Sequence, residues 1–100
     1  NELTEETNEF IKLIENDEIL SSIQDFYEIN KDNIDVSAYN EYVFREACIN
    51  GYLELAKWLL EVKPDINISA YNEYVFREAC MNGHLEVVKL LLEKKSDINI

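Results

Sequence analysis

Apolar and polar residues recur along most of the chain with the period of short amphipathic helices. The clearest stripe lies on residues 85–94, which are apolar on one side and charged on the other; it consists of Leu85, Val88, Leu91 and Leu92. A shorter stripe on residues 73–81 precedes it, and Gly83 lies between the two, where glycine tolerates the left-handed backbone that ends a helix. The pattern predicts two short helices joined by a tight turn, with Asn72 as the N-cap of the first.

This pattern occurs twice along the chain. Residues 37–48 and residues 69–80 are identical, and 22 of 32 positions match between residues 33–64 and residues 65–96. A third copy begins at residues 97–100, Asp-Ile-Asn-Ile. Self-similarity at a fixed period of this length is typical of repeat proteins. We therefore expect an array of repeated helix pairs rather than one closed domain.

Each unit contains three parts. In a mostly polar stretch, residues 65–72, polar and apolar residues alternate, which favours an extended finger or turn. The two helices follow this stretch. In the preceding unit we expect the equivalent helices over residues 41–49 and residues 53–62. Because one pair of short helices cannot bury its apolar face alone, neighbouring pairs must stack. The sequence therefore predicts an all-α solenoid.

Residues 1–32 repeat the pattern more weakly. Their first amphipathic segment has a threonine that can cap it and an apolar side; these are Thr4 or Thr7, and Phe10, Ile11 and Ile14. The second segment starts after Asp17, and its apolar stripe consists of Ile19, Leu20, Ile23, Phe26, Tyr27 and Ile29. The stretch holds ten acidic and two basic residues. We interpret it as a degenerate first repeat that caps the array, since the outer face of a cap must stay in water.

The second-helix segments carry a recognisable signature. Residues 82–93, Asn-Gly-His-Leu-Glu-Val-Val-Lys-Leu-Leu-Leu-Glu, resemble the second helix of an ankyrin repeat, and residues 51–60 match it in the unit before. Residues 97–100 resemble the start of the next ankyrin finger. The resemblance covers residues 33–100. It implies an ankyrin-repeat solenoid of stacked helix-turn-helix units with short β-finger turns.

The first helix departs from the ankyrin consensus, in which Thr-Pro-Leu-His opens that helix. The matching residues here, 42–45 and 74–77, are Tyr-Val-Phe-Arg in both units, so proline does not set the helix start. The local dialect, Tyr-Asn-Glu-Tyr-Val-Phe-Arg-Glu-Ala-Cys, resembles the ankyrin arrays of giant DNA viruses. This similarity implies a virus-infected host cell as one setting, beside the intracellular, cytoplasmic setting that the cysteine usage indicates.

The resemblance also implies a protein-binding role. In the family, the finger tips and the exposed side of the first helix form the concave binding face; the matching residues here are Tyr39, Glu41, Glu46, Ile49, Tyr71, Glu73, Glu78 and Met81. Ile49 and Met81 differ between the units, as expected for contacts with a partner. Tyr39 and Tyr71 do not differ, so binding and finger-to-finger packing stay equally open for them. A structural spacer within a longer array is the alternative function.

The remaining polar residues form no recognisable catalytic, metal-binding or cofactor-binding constellation. His84 is the one histidine, and the equivalent residue in the preceding unit is Tyr52, which favours a structural role at the turn. The carboxylates recur from unit to unit, so they form stripes rather than one pocket. We therefore expect a protein that is not an enzyme and needs no cofactor or metal.

The net charge limits the class of partner that we expect, and the cysteine usage indicates the compartment. A net charge of −12 repels phosphate backbones and anionic lipid surfaces, so we expect a protein partner and neither nucleic acid nor membrane. Cys48 and Cys80 occupy equivalent positions and are expected to be small buried core residues in a reducing compartment. We expect a monomer, with self-association through an exposed edge at Leu92 and Val88 as the alternative.

Overall fold

The computed structural model describes residues 4–66 and 72–95, and within those residues the chain forms α-helices and no strand. The six helices are α1 (Glu5–Glu15), α2 (Leu20–Asn30), α3 (Ala38–Ile49), α4 (Leu53–Val62), α5 (Asn72–Met81) and α6 (Leu85–Lys95). A short 3₁₀ turn, Lys31–Asn33, follows α2.

The helices are arranged as three stacked pairs. Within each pair a short turn folds the second helix back on the first, so that α1 packs on α2, α3 on α4 and α5 on α6. Between pairs, α1 packs against α3, α3 against α5 and α4 against α6. This arrangement confirms the predicted all-α solenoid of helix-turn-helix units, since every pair buries its apolar side against a neighbour.

The core lies between the two layers of helices. Phe10, Ala47 and Leu59 are fully buried in it and come from three different helices. Three aromatic rings join the first pair to α4, with centroid separations of 5.9 Å between Phe10 and Tyr27, 6.3 Å between Phe10 and Trp58, and 5.2 Å between Tyr27 and Trp58. Ring pairs at these distances contribute stabilisation beyond their buried area. The first helix pair is therefore a packed part of the array.

The turns inside the three pairs share one backbone geometry. In the second pair, the Gly51 N–H donates to the Cys48 carbonyl at 3.3 Å and the Tyr52 N–H to the Ala47 carbonyl at 2.8 Å. The same two bonds recur in the first and third pairs. The residue that turns the chain has a φ of 57° at Asp17, 75° at Gly51 and 77° at Gly83. Asp17 thus occupies a left-handed position that glycine fills in the other two turns.

The first pair confirms one prediction from the sequence and contradicts another. Thr4 caps α1, as one of the two predicted options, by accepting a hydrogen bond from the Thr7 N–H at 2.9 Å. The predicted apolar stripe of α2 is wrong at its two ends, because Ile19 precedes the helix and Ile29 lies about 120° around it from Ile23. Ile19 and Ile29 are 68% and 81% exposed.

The first finger forms a turn, one of the two expected structures, after an extended residue at Ile34. The Thr7 hydroxyl donates to the Asn33 carbonyl at 3.2 Å and accepts from the Asp35 N–H at 2.9 Å, which fastens this segment to α1. The Asp35 carboxylate then accepts from the Ser37 N–H at 3.1 Å, a local bond that starts a helix instead of a strand. Residues 33–37 therefore form a turn and no strand, which the expected finger or turn allows, and most of the second finger, residues 67–71, lies outside the described residues.

The start of α3 also differs from the prediction. The helix begins at Ala38, three residues before the expected start at residue 41. Its first turn is irregular, because Tyr39 and Glu41 have φ values of 58° and 62°. Tyr39 therefore belongs to the first turn of α3 and not to the tip of a finger.

The two cysteines differ although they occupy equivalent positions. Cys48 is fully buried, as predicted, whereas Cys80 is exposed, so the prediction is wrong for Cys80. Cys48 lies on α3, which has packed neighbours on both sides, α1 and α5. In the described part of the chain no helix follows α6, and the side of α5 that carries Cys80 stays open. Leu92, at the edge expected to be exposed, is half exposed.

Candidate functional site

The exposed sides of the first helices of the three pairs lie next to one another, because α1, α3 and α5 stack in sequence. On α3 and α5 this side carries aromatic, aliphatic and acidic side chains. We call it the first-helix surface and define it by the residues Tyr39, Tyr42, Glu46, Ile49, Tyr74, Glu78 and Met81. Glu15 at the end of α1 borders it.

A hydrogen-bonded group orders the middle of this surface. The Tyr42 hydroxyl donates to the Glu15 carboxylate at 2.7 Å, so that α3 is joined to α1. The Arg45 guanidinium lies 5.6 Å from the centroid of the Tyr42 ring and donates to the Tyr39 carbonyl at 3.0 Å. The bond to Glu15, with burial and the charge of Glu46, raises the pKa of Tyr42 to about 12. Tyr42 is therefore a neutral, fixed phenol near neutral pH.

Asparagines order the end of the same surface. The Asn50 side-chain amide donates to the Glu46 carboxylate at 3.1 Å and to the Glu46 carbonyl at 2.9 Å. The Asn82 side-chain amide donates to the Ile49 carbonyl at 3.4 Å, which connects the third pair to the second. The Asn50 bonds close the end of α3, and the Asn82 bond connects the ends of α3 and α5, where Ile49 and Met81 occupy equivalent positions.

The predicted binding residues are found in different environments. Tyr39 and Met81 are 61% and 72% exposed. Glu46, Glu78 and Ile49 are half-buried, and Ile49 also packs against the core.

Two predicted binding residues are not described. Tyr71 and the side chain of Glu73 lie outside the described residues. Their predicted part in binding therefore stays a prediction.

Glu41 was predicted to lie on the exposed binding face, but in the structure it is buried, with only 8% of its surface exposed. Its position in α3 corresponds to Thr7 in α1, which is also buried. Lys63 lies close to Glu41. Its hydrogen bond to Asp65 at 2.9 Å raises the pKa of the Lys63 ammonium, and the charge of Glu41 adds a smaller contribution. Glu41 is thus a buried residue of the second pair and not part of the exposed first-helix surface.

Sequence reasoning missed Tyr42 and Tyr74 as surface residues. Both were recognised only as departures from the ankyrin consensus, yet Tyr74 is one of the large exposed apolar side chains. The signal was present in the spacing, because Tyr42, Glu46 and Ile49 follow at i, i+4 and i+7 and so share one side of a helix. The equivalent residues of α5 repeat that spacing.

The surroundings of His84 and Cys48 favour structural roles for both residues. The imidazole of His84 lies on the backbone of Gly51, so close that a Cβ at Gly51 would be 2.4 Å from His84 Nδ1. Burial raises the pKa of the Cys48 thiol to about 12, which keeps it protonated and unreactive.

Among residues 4–66 and 72–95, no group of three or more histidine, cysteine or acidic side chains is arranged to hold a metal ion. No helix in the same part of the chain is long and apolar enough to cross a membrane.

Comparison with known proteins gives one match. The family model for ankyrin repeats, in three copies, matches residues 10–100. It includes α2 and most of α1 as well as the two clearer repeats. A search of curated proteins and a search of solved structures each returned no match.

Proposed function

Because the chain belongs to the ankyrin-repeat family, we propose that it binds a partner protein through the first-helix surface. Ankyrin repeats are generally protein–protein interaction modules and are typically not enzymes. The proposal here concerns the face: the exposed sides of α3 and α5, with Tyr39, Tyr42, Tyr74 and Met81 as the side chains that enter the interface.

One observation carries this proposal. Tyr39, Tyr74 and Met81 are large, apolar in most of their surface, and exposed, and all three lie on first helices. Tyrosine is among the residues that contribute most to protein interfaces, and methionine is enriched at interfaces and adapts to irregular partner surfaces. Burying these side chains against a partner removes apolar area from water at about 25 cal/mol per Å².

Rigidity of the surface supports the same proposal. The Tyr42–Glu15 bond joins α3 to α1, and the Asn82–Ile49 bond joins α5 to α3. Helices that are already joined need no rearrangement on binding, and Tyr42, whose side chain is held by its bond, loses little rotamer freedom, so more of the contact energy is available as affinity. The repeated helices thus present a preformed surface.

The test is a capture experiment with matched variants. The first variant, Tyr39→Ala with Tyr74→Ala and Met81→Ala, removes exposed side chains from the first-helix surface. The control, Ile29→Ala with Leu92→Ala, removes exposed apolar side chains from second helices instead. Both variants are first shown by circular dichroism to fold as the unchanged chain does.

A protein that is captured by the unchanged chain and by the control, but lost in the first variant, supports binding through the first-helix surface. A protein that is lost in the control and retained in the first variant contradicts it. If all three chains capture the same background, the spacer function is favoured.

We also propose the boundaries of the repeats and their setting. Residues 1–32 form a capping repeat, residues 33–64 and 65–96 form two further repeats, and residues 97–100 start another. The packing of α1 and α2 against the second pair supports the first of these assignments. A monomer in the cytoplasm or in a virus-infected cell stays a prediction from the sequence.

A further inference from the structure

A groove of about 460 Å³ opens between the first two helix pairs, at the turns that join their helices. One wall is the end of the first turn and the start of α2, and the other wall is Tyr52 with the start of α4. We call it the turn groove. It shares no residue with the first-helix surface, and its volume is in the range of pockets that hold small ligands or side chains of a partner.

The floor and walls of the turn groove are apolar. Ile14, Ile23 and Leu55 form a buried floor that belongs to the core. Leu20 and Leu53 are half-buried on the walls, and Ile19 stands at the edge with 68% of its surface exposed. A large aliphatic side chain in water beside an apolar depression marks surface that association would bury favourably.

The length of the first turn explains why this edge exists. Four residues separate α1 from α2, whereas three separate the helices of the second and third pairs. In the third pair the last turn residue, His84, lies on Gly51 of the pair before it. The extra residue in the first turn places Ile19 just before α2, where its side chain projects into solvent.

The rim of the turn groove is negatively charged. Asp17, Glu18 and Glu54 are all exposed, and none of the ten residues that line the groove is basic. Glu54 lies in the first turn of α4, where an acidic side chain also complements the helix dipole, and Glu18 lies in the turn just before α2. Lys57 approaches Glu54 only at 4.0 Å on an exposed surface, so this pair neutralises little of the rim.

We propose that the turn groove binds a short segment of a partner protein in which aliphatic side chains are flanked by lysine or arginine. The aliphatic side chains fill the apolar depression beside Ile19, and the basic side chains meet the three carboxylates. Such a charge arrangement speeds association and selects against acidic segments.

The same charges decide against other occupants. An anionic membrane surface or a nucleic acid is repelled by the acidic rim. A second copy of this chain carries the same net charge of −12 and is repelled as well. A segment with aliphatic and basic side chains is the occupant that complements both the apolar floor and the acidic rim.

The experiment selects short peptides from a random displayed library against the folded chain and then measures binding of the most enriched peptide. We expect enriched peptides that combine leucine, isoleucine or valine with lysine or arginine. Amide chemical shifts should change at Glu18, Ile19 and Leu53, and the affinity should fall as salt is raised.

Three variants make the result specific. Glu18→Lys with Glu54→Lys reverses the rim and should weaken binding about tenfold, because attraction becomes repulsion. Ile19→Ser removes an exposed aliphatic side chain and should weaken binding about threefold or more. Glu61→Lys with Glu93→Lys changes the net charge equally on second helices outside the groove and should leave affinity within about twofold.

The outcomes separate this proposal from the proposed function. A Tyr39→Ala, Met81→Ala variant should bind the selected peptide as the unchanged chain does. The proposal is overturned if no peptide is enriched, if enriched peptides lack basic residues, or if shifts change on α3 and α5 instead. It is equally overturned if the rim reversal and its charge-matched control bind alike, or if sedimentation shows a dimer that Ile19→Ser abolishes. Should the rim reversal fail to fold, the Ile19→Ser variant and the shift mapping decide.

Discussion

The second and third helix pairs share an identical stretch of sequence but differ in what covers it. Residues 37–48 and 69–80 have the same twelve residues, and each includes most of a first helix. Cys48 is nevertheless fully buried between α1 and α5, while Cys80 is exposed on α5. In a stacked array the sequence of a unit determines its helices, but the neighbours on both sides determine its burial.

The turns of these two pairs also have the same backbone conformation but different surroundings. Gly51 and Gly83 have nearly equal φ values of 75° and 77°, so both need the conformational freedom of glycine. Gly51 is covered by the imidazole of His84, whereas a Cβ at Gly83 would have no atom within 4 Å among the described residues. One position is therefore constrained by conformation and contact, and the other by conformation alone.

The largest expected effect concerns the equivalent phenylalanines of the two pairs. Phe44 is buried and Phe76 is half-buried, although their sequence contexts are identical. Phe44→Ala should lower the free energy of unfolding by about 3–5 kcal/mol, since it removes a buried ring and leaves a cavity. Phe76→Ala should cost about 1–2 kcal/mol, because part of that ring already contacts water.

Urea unfolding followed by circular dichroism measures both free energies of unfolding. The chain with Tyr39→Ala, an exposed aromatic, provides the matched control and should change little. Equal losses for the two phenylalanine variants would contradict the difference in burial between the pairs.

The next effect concerns the two glycines. Gly83→Ala should cost about 1–2 kcal/mol, the penalty of a side chain in the left-handed region. Gly51→Ala should cost more than that, because the added Cβ would also lie 2.4 Å from His84 Nδ1 and displace the ring.

The additional free-energy cost of Gly51→Ala over Gly83→Ala can be isolated in a double-variant cycle. In a His84→Ala background, Gly51→Ala should cost no more than Gly83→Ala does, since the clashing ring is gone. An excess that persists in that background would mean that contact with His84 is not its cause.

The smallest effect concerns the bond between the first and second pairs. Tyr42→Phe removes the hydroxyl that donates to Glu15 and should cost at most about 1 kcal/mol near neutral pH, because the bond is exposed to solvent. The pKa of Tyr42 is raised from 10.0 to about 12 in the folded chain. The bond therefore contributes fully below pH 10, and its contribution is lost as the pH rises from 10 to about 12.

Spectrophotometric titration of the phenols and unfolding at several alkaline pH values check this expectation. Glu15→Ala removes the largest cause of the raised pKa and should return Tyr42 toward an ordinary value. If the chain with Tyr42→Phe loses as much stability between pH 10 and pH 12 as the unchanged chain does, Tyr42 does not carry the effect.

The helices themselves were predictable from local sequence. The structure has α4 over the residues expected, and α6 ends one residue later than expected, because amphipathic spacing and the Asn-Gly turn signals depend on a few neighbouring residues. The capping role of Thr4 was one of two options that the sequence left open.

Features that depend on contacts between repeats were not predictable in the same way. The helical start of α3 arises where the first pair meets the second, through bonds such as that between Thr7 and Asp35, and the burial of Glu41 did not follow from the pattern of its own helix. The exposure of Cys80 depends on whether a helix covers α5. The turn groove requires both an inserted residue and the placement of α2 beside α4, of which the sequence shows only the first.

Thiol reactivity of the native chain tests most directly whether stacking, rather than sequence, sets burial. Cys48→Ala and Cys80→Ala leave one thiol each, at the end of the same twelve-residue stretch, for reaction with an aromatic disulfide reagent near neutral pH. We predict that Cys80 reacts rapidly, and that Cys48 reacts only in denaturant, because it is fully buried with its pKa raised to about 12. Equal native rates for the two thiols, or a faster Cys48, would contradict the stacked arrangement described for α1, α3 and α5.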